Sequence, residues 1–416
     1  MYRRQPSRVK HVVTCSLFGC GDILAATKEA PGGRCQVSGA RRWGLGIMAM
    51  NINLNLEHVA PPPKRKDFRI GAIGAGFIMN DCHLVAYGHA GYNVVAIASS
   101  SPEESRQVAQ AHGIPKVHAT YQELLADPSI EVVDIAVPPD KQLMIVREAV
   151  KHAGHLKGIL AQKPPAMNLA DSREIVRQCE QAGITLAVNQ NMRYDHSMRA
   201  LKTLLQRGYL GEPVLASIEM RAIPHWKPWQ LAYTHLTLLN MSIHHLDSFR
   251  YLFGEPETVY VSARKDPRTP SEHVDGVVLY ILEYPSGFRA TAWDDVWGGP
   301  AREGTPPDLY IKWRVEGTEG MAQGTIGWPS YPCRTPSTLD FTTRQQPGCW
   351  FSPRWNEVWF PDAFESTMGQ LLEALATGTE PAISGRDNLK TMALVEACYK
   401  SIEEHRVVRM AEMLNA

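Results

Sequence analysis

Between residues 67 and 98 the chain reads strand, glycine turn, helix, strand, and this order leaves few folds open. Asp67-Phe68-Arg69-Ile70-Gly71-Ala72-Ile73 is a short apolar strand that runs directly into Gly74-Ala75-Gly76. An apolar-periodic helix from Phe77 to His89 and a second strand, Asn93 to Ala98, follow. The alternation then continues. Helices are expected at Pro102–His112, Tyr121–Ala126, Lys141–Ala153 and Leu169–Ala182, and strands at Val132–Val137, Gly158–Ala161 and Thr185–Asn189. Strands separated by helices of this length form a parallel sheet wound on both faces, so the fold class is α/β over residues 67–189.

The turn itself carries chemistry. Gly74-x-Gly76-x-x-Met79 sits between a strand and a helix, the context that makes a dinucleotide fingerprint meaningful. Gly74 permits the tight turn and Gly76 lets the backbone approach a pyrophosphate. The helix start at Phe77 and Ile78 aims its N–H groups and positive dipole end at the phosphates. Met79 replaces the third glycine, so helix and strand pack less closely. The residue that ends the second strand normally selects NAD or NADP. Here it is Ser99, followed by Ser100 and Ser101, with neither a carboxylate nor an adjacent base. The cofactor, NAD or NADP, stays open, with a lean to NAD.

Near residue 190 the texture changes. After a helix from Ser197 to Arg207, the segments Pro213–Met220, Thr258–Arg264, Gly276–Tyr284, Phe288–Trp293, Tyr310–Glu316 and Gly320–Ile326 read as β-branched and aromatic strands. One long helix, Leu236–Phe253, interrupts them, and helices Ala363–Thr377 and Asn388–His405 close the chain. Residues 190–416 are therefore expected to form a second, α+β domain with an open, mostly antiparallel sheet.

Two polar clusters stand out. Gln162-Lys163-Pro164 directly follows an apolar strand, which places Lys163 at the carboxyl edge of the parallel sheet, where such sheets bind ligands. On the long helix, Asn240, His244 and Asp247 lie at i, i+4 and i+7 and share one face. A polar stripe among leucines on a buried helix needs partners.

Taken in order, these pieces resemble the glucose–fructose oxidoreductase / inositol dehydrogenase / rhizopine-catabolism (Gfo/Idh/MocA) family. The resemblance spans about residues 67–410. It covers the glycine turn, Val137-Pro138-Pro139, Gln162-Lys163-Pro164, Asn191-Met192-Arg193-Tyr194-Asp195, and the pair Asn240 and His244. It continues with Val315-Glu316-Gly317-Thr318-Glu319-Gly320, Gly378-Thr379-Glu380-Pro381 and Ser384-Gly385. It implies a Rossmann domain followed by a domain whose open sheet buries a face between subunits of a homodimer or homotetramer. It implies NAD or NADP and a hydride transfer to or from a sugar, polyol or sugar derivative. Lys163 would hydrogen-bond the reacting oxygen, His244 would exchange the hydroxyl proton, and Asn240 would assist them. The cofactor set would be Gly74, Gly76, Phe77, Ile78, Ser99, Val137, Pro138, Gln162 and Asn191. Arg193, Trp226 and His245 are expected to meet the substrate, and Trp293-Asp294-Asp295-Val296-Trp297 is a second candidate rim.

The chain departs from the family's pattern at three places. A glutamate is usual at Gln162, an aspartate at Asn240 and a histidine at Gln142. These departures keep two other readings in view. One is a redox-cycling glycosidase that holds its NAD. The other is a sensor that binds dinucleotide and sugar without turnover.

The charge is uneven. The full chain has 43 basic and 43 acidic residues, yet the first fifty hold eight bases against two acids, leaving the remainder at −6. A mildly acidic body argues against nucleic acid as a partner. The basic start is expected to be a disordered leader over residues 1–66 that ends in the linker Pro61-Pro62-Pro63-Lys64-Arg65-Lys66; a transit peptide and translation upstream of Met48 or Met50 are the other readings. No apolar run approaches the ~18 residues of a membrane span. The cysteine spacings contain no C-x-x-C pair, so no metal site is expected and the expected location is cytoplasmic and reducing.

Overall fold

The computed structural model describes residues 10–15, 24–27, 52–221, 227–269, 271–297, 308–327 and 333–414. The first two strands, β1 (Lys10–Cys15) and β2 (Leu24–Thr27), belong to the expected leader. The parallel sheet follows as β3 (Ile70–Ile73), β4 (Val94–Ala98), β5 (Lys116–Val117), β6 (Val132–Ile135), β7 (Gly158–Gln162) and β8 (Thr185–Asn189). Its helices are α1 (Leu84–Ala90), α2 (Pro102–His112), α3 (Tyr121–Ala126), α4 (Pro139–Ala149) and α5 (Leu169–Ala182). The strand order β5-β4-β3-β6-β7-β8 puts the reversal of winding between β3 and β6. Ligands of such sheets bind in the crevice outside that point.

The second part holds α6 (His196–Gln206), α7 (Pro228–Leu231), α8 (Ile243–Phe253), α9 (Ala363–Thr377) and α10 (Gly385–Glu404). Its strands are β9 (Pro213–Arg221), β10 (Thr258–Arg264), β11 (Val277–Glu283), β12 (Arg289–Asp295), β13 (Tyr310–Gly317), β14 (Gly320–Thr325), β15 (Thr338–Thr343), β16 (Cys349–Arg354) and β17 (Val408–Arg409). Among the described residues these strands and the two leader strands make one sheet, β17-β10-β11-β12-β9-β13-β14-β15-β16-β1-β2. Every pair is antiparallel except β12 with β9. β15 and β16 were not among the strands read from sequence. The helices lie on one face of this sheet, and Leu215, Tyr260, Leu279 and Ile281 stand exposed on the other. α9 and α10 return to pack on β8 and α5, so the end of the chain covers the first domain as well as its own.

Two expectations about the start of the chain need correction. The leader is not wholly disordered: β1 pairs antiparallel with β16 from Lys10 opposite Arg354 to Cys15 opposite Cys349, and β2 pairs with β1. Added strands satisfy backbone groups that an open sheet edge leaves unpaired. The segment before β3 is a packed strap. Ile52, Leu54 and Leu56 are buried and alternate with exposed Asn53, Asn55 and Glu57, the period of an extended strand with one wet face. Arg207 donates to Asn53 O at 3.1 Å and to Glu57 at 3.0 Å, which fastens the strap to α6. Pro63 of the expected linker is also buried. A further difference concerns sulfur. Cys349 is disulfide-bonded, while Cys82, Cys179 and Cys398 are buried free thiols, so the wholly reducing reading does not extend to Cys349. No helix among the described residues is long and apolar enough to cross a membrane.

The strap makes a direct prediction. Leu56 is 2% exposed, and truncating a buried leucine costs about 2–5 kcal/mol. Leu56→Ala should lower the urea midpoint of unfolding by a corresponding amount; an unchanged midpoint would mean the strap is not part of the core.

Candidate active site

The glycine turn is shaped by contact. Gly74 has φ +114°, and a Cβ there would lie 2.4 Å from Ala136 O at the end of β6, so only glycine fits. A Cβ on Gly76 would meet nothing within 4 Å, so this side of the turn opens onto free space. The helix that follows begins as a π turn, Ile78–His83, and continues as α1. Met79 is fully buried and holds this start against the core. Phe77 and Ile78 lie at the mouth, with Phe77 40% exposed, and Val137 and Pro138 line the other side, half-buried. An open cradle of backbone at a helix start, beside the reversal of the sheet, fits the pyrophosphate of a dinucleotide.

At the end of β4, Ser99 is tied into its own turn. Its Oγ donates to Ser101 O at 2.8 Å, accepts from Ser101 N at 3.1 Å and lies 2.8 Å from Ser105 Oγ. The nearest base, Arg106, forks onto Glu103 at 2.7 and 3.1 Å.

Lys163 follows β7, half-buried, and its Nζ donates to the main-chain carbonyl of Asn240 at 2.7 Å. That carbonyl lies in a second π turn, Thr237–Ser242, which leads into α8. π turns interrupt the regular helical ladder and recur at functional sites. The turn is anchored by buried Asp275, whose oxygens accept from Leu236 N at 3.0 Å and Leu238 N at 2.9 Å. Tyr399 Oη donates to the same carboxylate at 3.0 Å and accepts from Leu239 N at 3.1 Å. Neither Asp275 nor Tyr399 was singled out by sequence, because both are distant in the chain.

His244 lies within the electrostatic reach of Lys163, and its ring meets Trp359 edge-on with centroids 5.3 Å apart. Trp359 donates from Nε1 to Asn191 Oδ1 at 3.0 Å, which brings α8, β8's end and the loop before α9 together. Trp359 also lacked any local sequence signal. Burial pushes the Lys163 amine down to about 7. Burial, then the positive charge of Lys163 and of His245, pushes His244 well below the ordinary imidazole range. The Asn240 side chain hydrogen-bonds Met241 Sδ at 3.7 Å, and it is the Asn240 carbonyl that takes the lysine. Gln162 is buried and its Oε1 accepts from Lys163 N at 3.1 Å. Buried side-chain atoms of Gln190, Asn191 and His244 have no hydrogen-bond partner among the described residues, which leaves donors and acceptors for a ligand.

The three expected substrate residues fare differently. Arg193 is buried, and its donors are taken. Nε and Nη2 fork onto Asp247 at 2.6 Å each, Nη2 also reaches Asp387 at 2.6 Å, and Nη1 reaches Ala382 O at 3.0 Å. It is a structural clamp. His245 is fully buried on the far side of α8, with Nδ1 2.9 Å from Asp294, because neighbours on a helix point about 100° apart. The same pairing removes Asp294 from the second candidate rim. Trp226 lies outside the described residues.

Comparison with known proteins gives the family. Residues 68–190 match the model of the oxidoreductase family with an NAD-binding Rossmann fold, and residues 198–323 match the GFO/IDH/MocA C-terminal domain. The chain is 29% identical over 352 residues to a D-apiose dehydrogenase of Paraburkholderia graminis, covering 84% of this chain and 91% of that protein. It is 30% identical over 263 residues to a trans-1,2-dihydrobenzene-1,2-diol dehydrogenase of Mus musculus, covering 61% and 74%. The fold is shared with an oxidoreductase from Agrobacterium radiobacter solved with NAD+, L-tartaric acid and magnesium, at a TM-score of 0.70 and 24% identity over 83% of this chain and 99% of that one. The chain belongs to the Gfo/Idh/MocA family of NAD(P)-binding oxidoreductases. Its similarity to named dehydrogenases supports an oxidoreductase over the glycosidase and sensor readings.

The clamp gives the second prediction. Breaking a buried ion pair from one side costs about 3–5 kcal/mol. Arg193→Met should therefore lower stability by that order in chemical denaturation. A variant of undiminished stability with only a raised KM would restore the substrate role.

Proposed function

We propose that the protein is an NAD(P)-dependent dehydrogenase or reductase of a sugar, polyol or sugar derivative. The observation that carries this reading is the Lys163–Asn240 carbonyl bond at the carboxyl edge of the parallel sheet, with His244 in the field of the lysine and the open glycine cradle at the same edge. The 29% identity to a D-apiose dehydrogenase supports a small sugar as the first substrate class to test. NAD is the preferred cofactor. Ser99 is held in its own turn and Arg106 is engaged by Glu103, so neither offers itself to a 2′-phosphate.

The nicotinamide, when bound, supplies the hydride acceptor or donor. The chain supplies the proton path. Lys163 with its amine neutral accepts the substrate hydroxyl proton during oxidation, and its ammonium returns the proton during reduction. The Asn240 carbonyl aims Nζ without adding charge. His244 stays neutral and hydrogen-bonds the substrate oxygen, while Trp359 fixes its ring. The sign of the pH dependence follows. Oxidation should rise with pH through about 7 and level off about one unit higher, and reduction should fall over the same range. Because the folded-state value lies below the unfolded one, the folded chain binds fewer protons between about 7 and 10.5, so this group makes stability rise with pH across that window. Lys163→Met should flatten both profiles and lower kcat by about 10²–10⁴. Reduced-nicotinamide absorbance with NAD and NADP against a panel of aldoses, polyols and sugar acids is the test. Dinucleotide binding without turnover of any member would overturn the reading.

The exposed outer sheet face supports a homodimer or homotetramer. Leu279 and Ile281 are 52% and 46% exposed there, in line with Tyr260 and Leu215. Leu279→Asp with Ile281→Asp should shift the sedimentation coefficient to that of a monomer; an unchanged assembly would place the contact elsewhere.

A further inference from the structure

We propose that Gln142 is a positioning residue that sets where Lys163 stands, by holding the main chain on both sides of it. Gln142 lies in α4 and is fully buried. Its single Nε2 donates to Gln162 O at 2.8 Å and to Pro164 O at 2.9 Å. These are the carbonyls immediately before and after Lys163. The Lys163 N–H is in turn held by the Gln162 side chain at 3.1 Å. The main chain from Gln162 to Pro164 is thus fixed at three points, and the lysine side chain reaches across to the Asn240 carbonyl.

The chemistry explains why a carboxamide serves here. Two carbonyl acceptors flank the lysine, so the tether needs two N–H bonds from one planar nitrogen. A carboxylate offers none. A neutral imidazole offers one. Gln142 Oε1 is buried with no partner among the described residues, so the side chain is retained for its donors at the expense of its acceptor. α4 also starts at Pro139, next to Val137 and Pro138 on the cradle wall. One helix therefore ties the cofactor side of the cleft to the lysine side.

The placement of Gln142 stands on the hydrogen bonds alone, while its effect on turnover rests on the function proposed above. The test separates the two. Full-length wild-type, Gln142→Met and Gln142→His proteins are labelled competitively with acetic anhydride from pH 6 to 10, and the peptide carrying Lys163 is followed by mass spectrometry. In Gln142→Met the released loop lets the ammonium reach water, so the labelling midpoint of Lys163 should move up by roughly one pH unit or more. Gln142→His, which keeps one donor, should fall between the two. If Gln142→Met does not fold, the histidine variant against wild type makes the same comparison. In turnover, kcat of Gln142→Met should fall at least tenfold, with dinucleotide Kd within twofold of wild type and the pH profile displaced upward. A folded variant with the wild-type labelling midpoint overturns the positioning role. A shifted midpoint in a protein that turns over no sugar leaves that role intact and removes the function instead.

Discussion

A buried guanidinium ties together the elements of the second half of this protein. Arg193 follows β8 by four residues and binds Asp247 on α8 and Asp387 on α10 with its fork, and the Ala382 carbonyl with its remaining nitrogen. Thr391 and Arg250 complete the cluster around the same two carboxylates. Burying such charges is costly, and only near-complete hydrogen bonding offsets it. That demand for geometry is also what makes the cluster useful. Asp247 lies three residues after His244, so a clamp that sets the rotation of α8 also sets where the His244 ring points. The π turn at the start of the helix, held by Asp275 and Tyr399, sets its other end.

Within this frame the site is short of negative charge. The side chains at 162 and 240 are amides; Lys163 Nζ donates to the neutral Asn240 carbonyl, while the Gln162 amide oxygen accepts from the Lys163 backbone N–H. An ammonium that meets neutral oxygens in a desolvated setting loses much of its advantage over the free amine. A carboxylate at either position would hold the lysine charged and would favour a charged His244. With a neutral partner, burial brings the Lys163 amine down to about 7 and keeps His244 well below the ordinary imidazole range. In the proposed mechanism these two departures from the family's pattern act together, since both remove negative charge from beside Lys163.

Much of the frame was legible in the sequence. Period-2 and period-3.6 apolar patterns gave the parallel sheet and most of the second sheet, because those patterns report which face each element buries. The glycine turn was legible because Gly74 is required by a local clash and a positive φ. The strap is written in the alternation Ile52-Asn53-Leu54-Asn55-Leu56-Glu57, a period-2 pattern set between a basic start and a proline-rich run. β15 and β16 lie in a polar, turn-rich stretch and are strands chiefly because β14 offers an edge to β15 and β15 offers one to β16. Trp359 and Asp275 had no signal, since their partners are between 37 and 168 positions away.

The sequence by itself determined the order of elements, the place of the dinucleotide turn, and the presence of Lys163 and His244 in a family with a known architecture. Those properties are local, set by side-chain periodicity and backbone sterics. Only the tertiary structure decided which polar residues serve the cleft and which serve the core. His244 and His245 are adjacent in sequence, yet one lies edge-on to Trp359 within the field of Lys163 while the other is sealed against Asp294, about 100° round the same helix. Arg193, read as a ligand for sugar, is spent on two carboxylates from distant helices. A side chain's role is fixed by the partners that reach it first, and those partners come from packing across the whole chain.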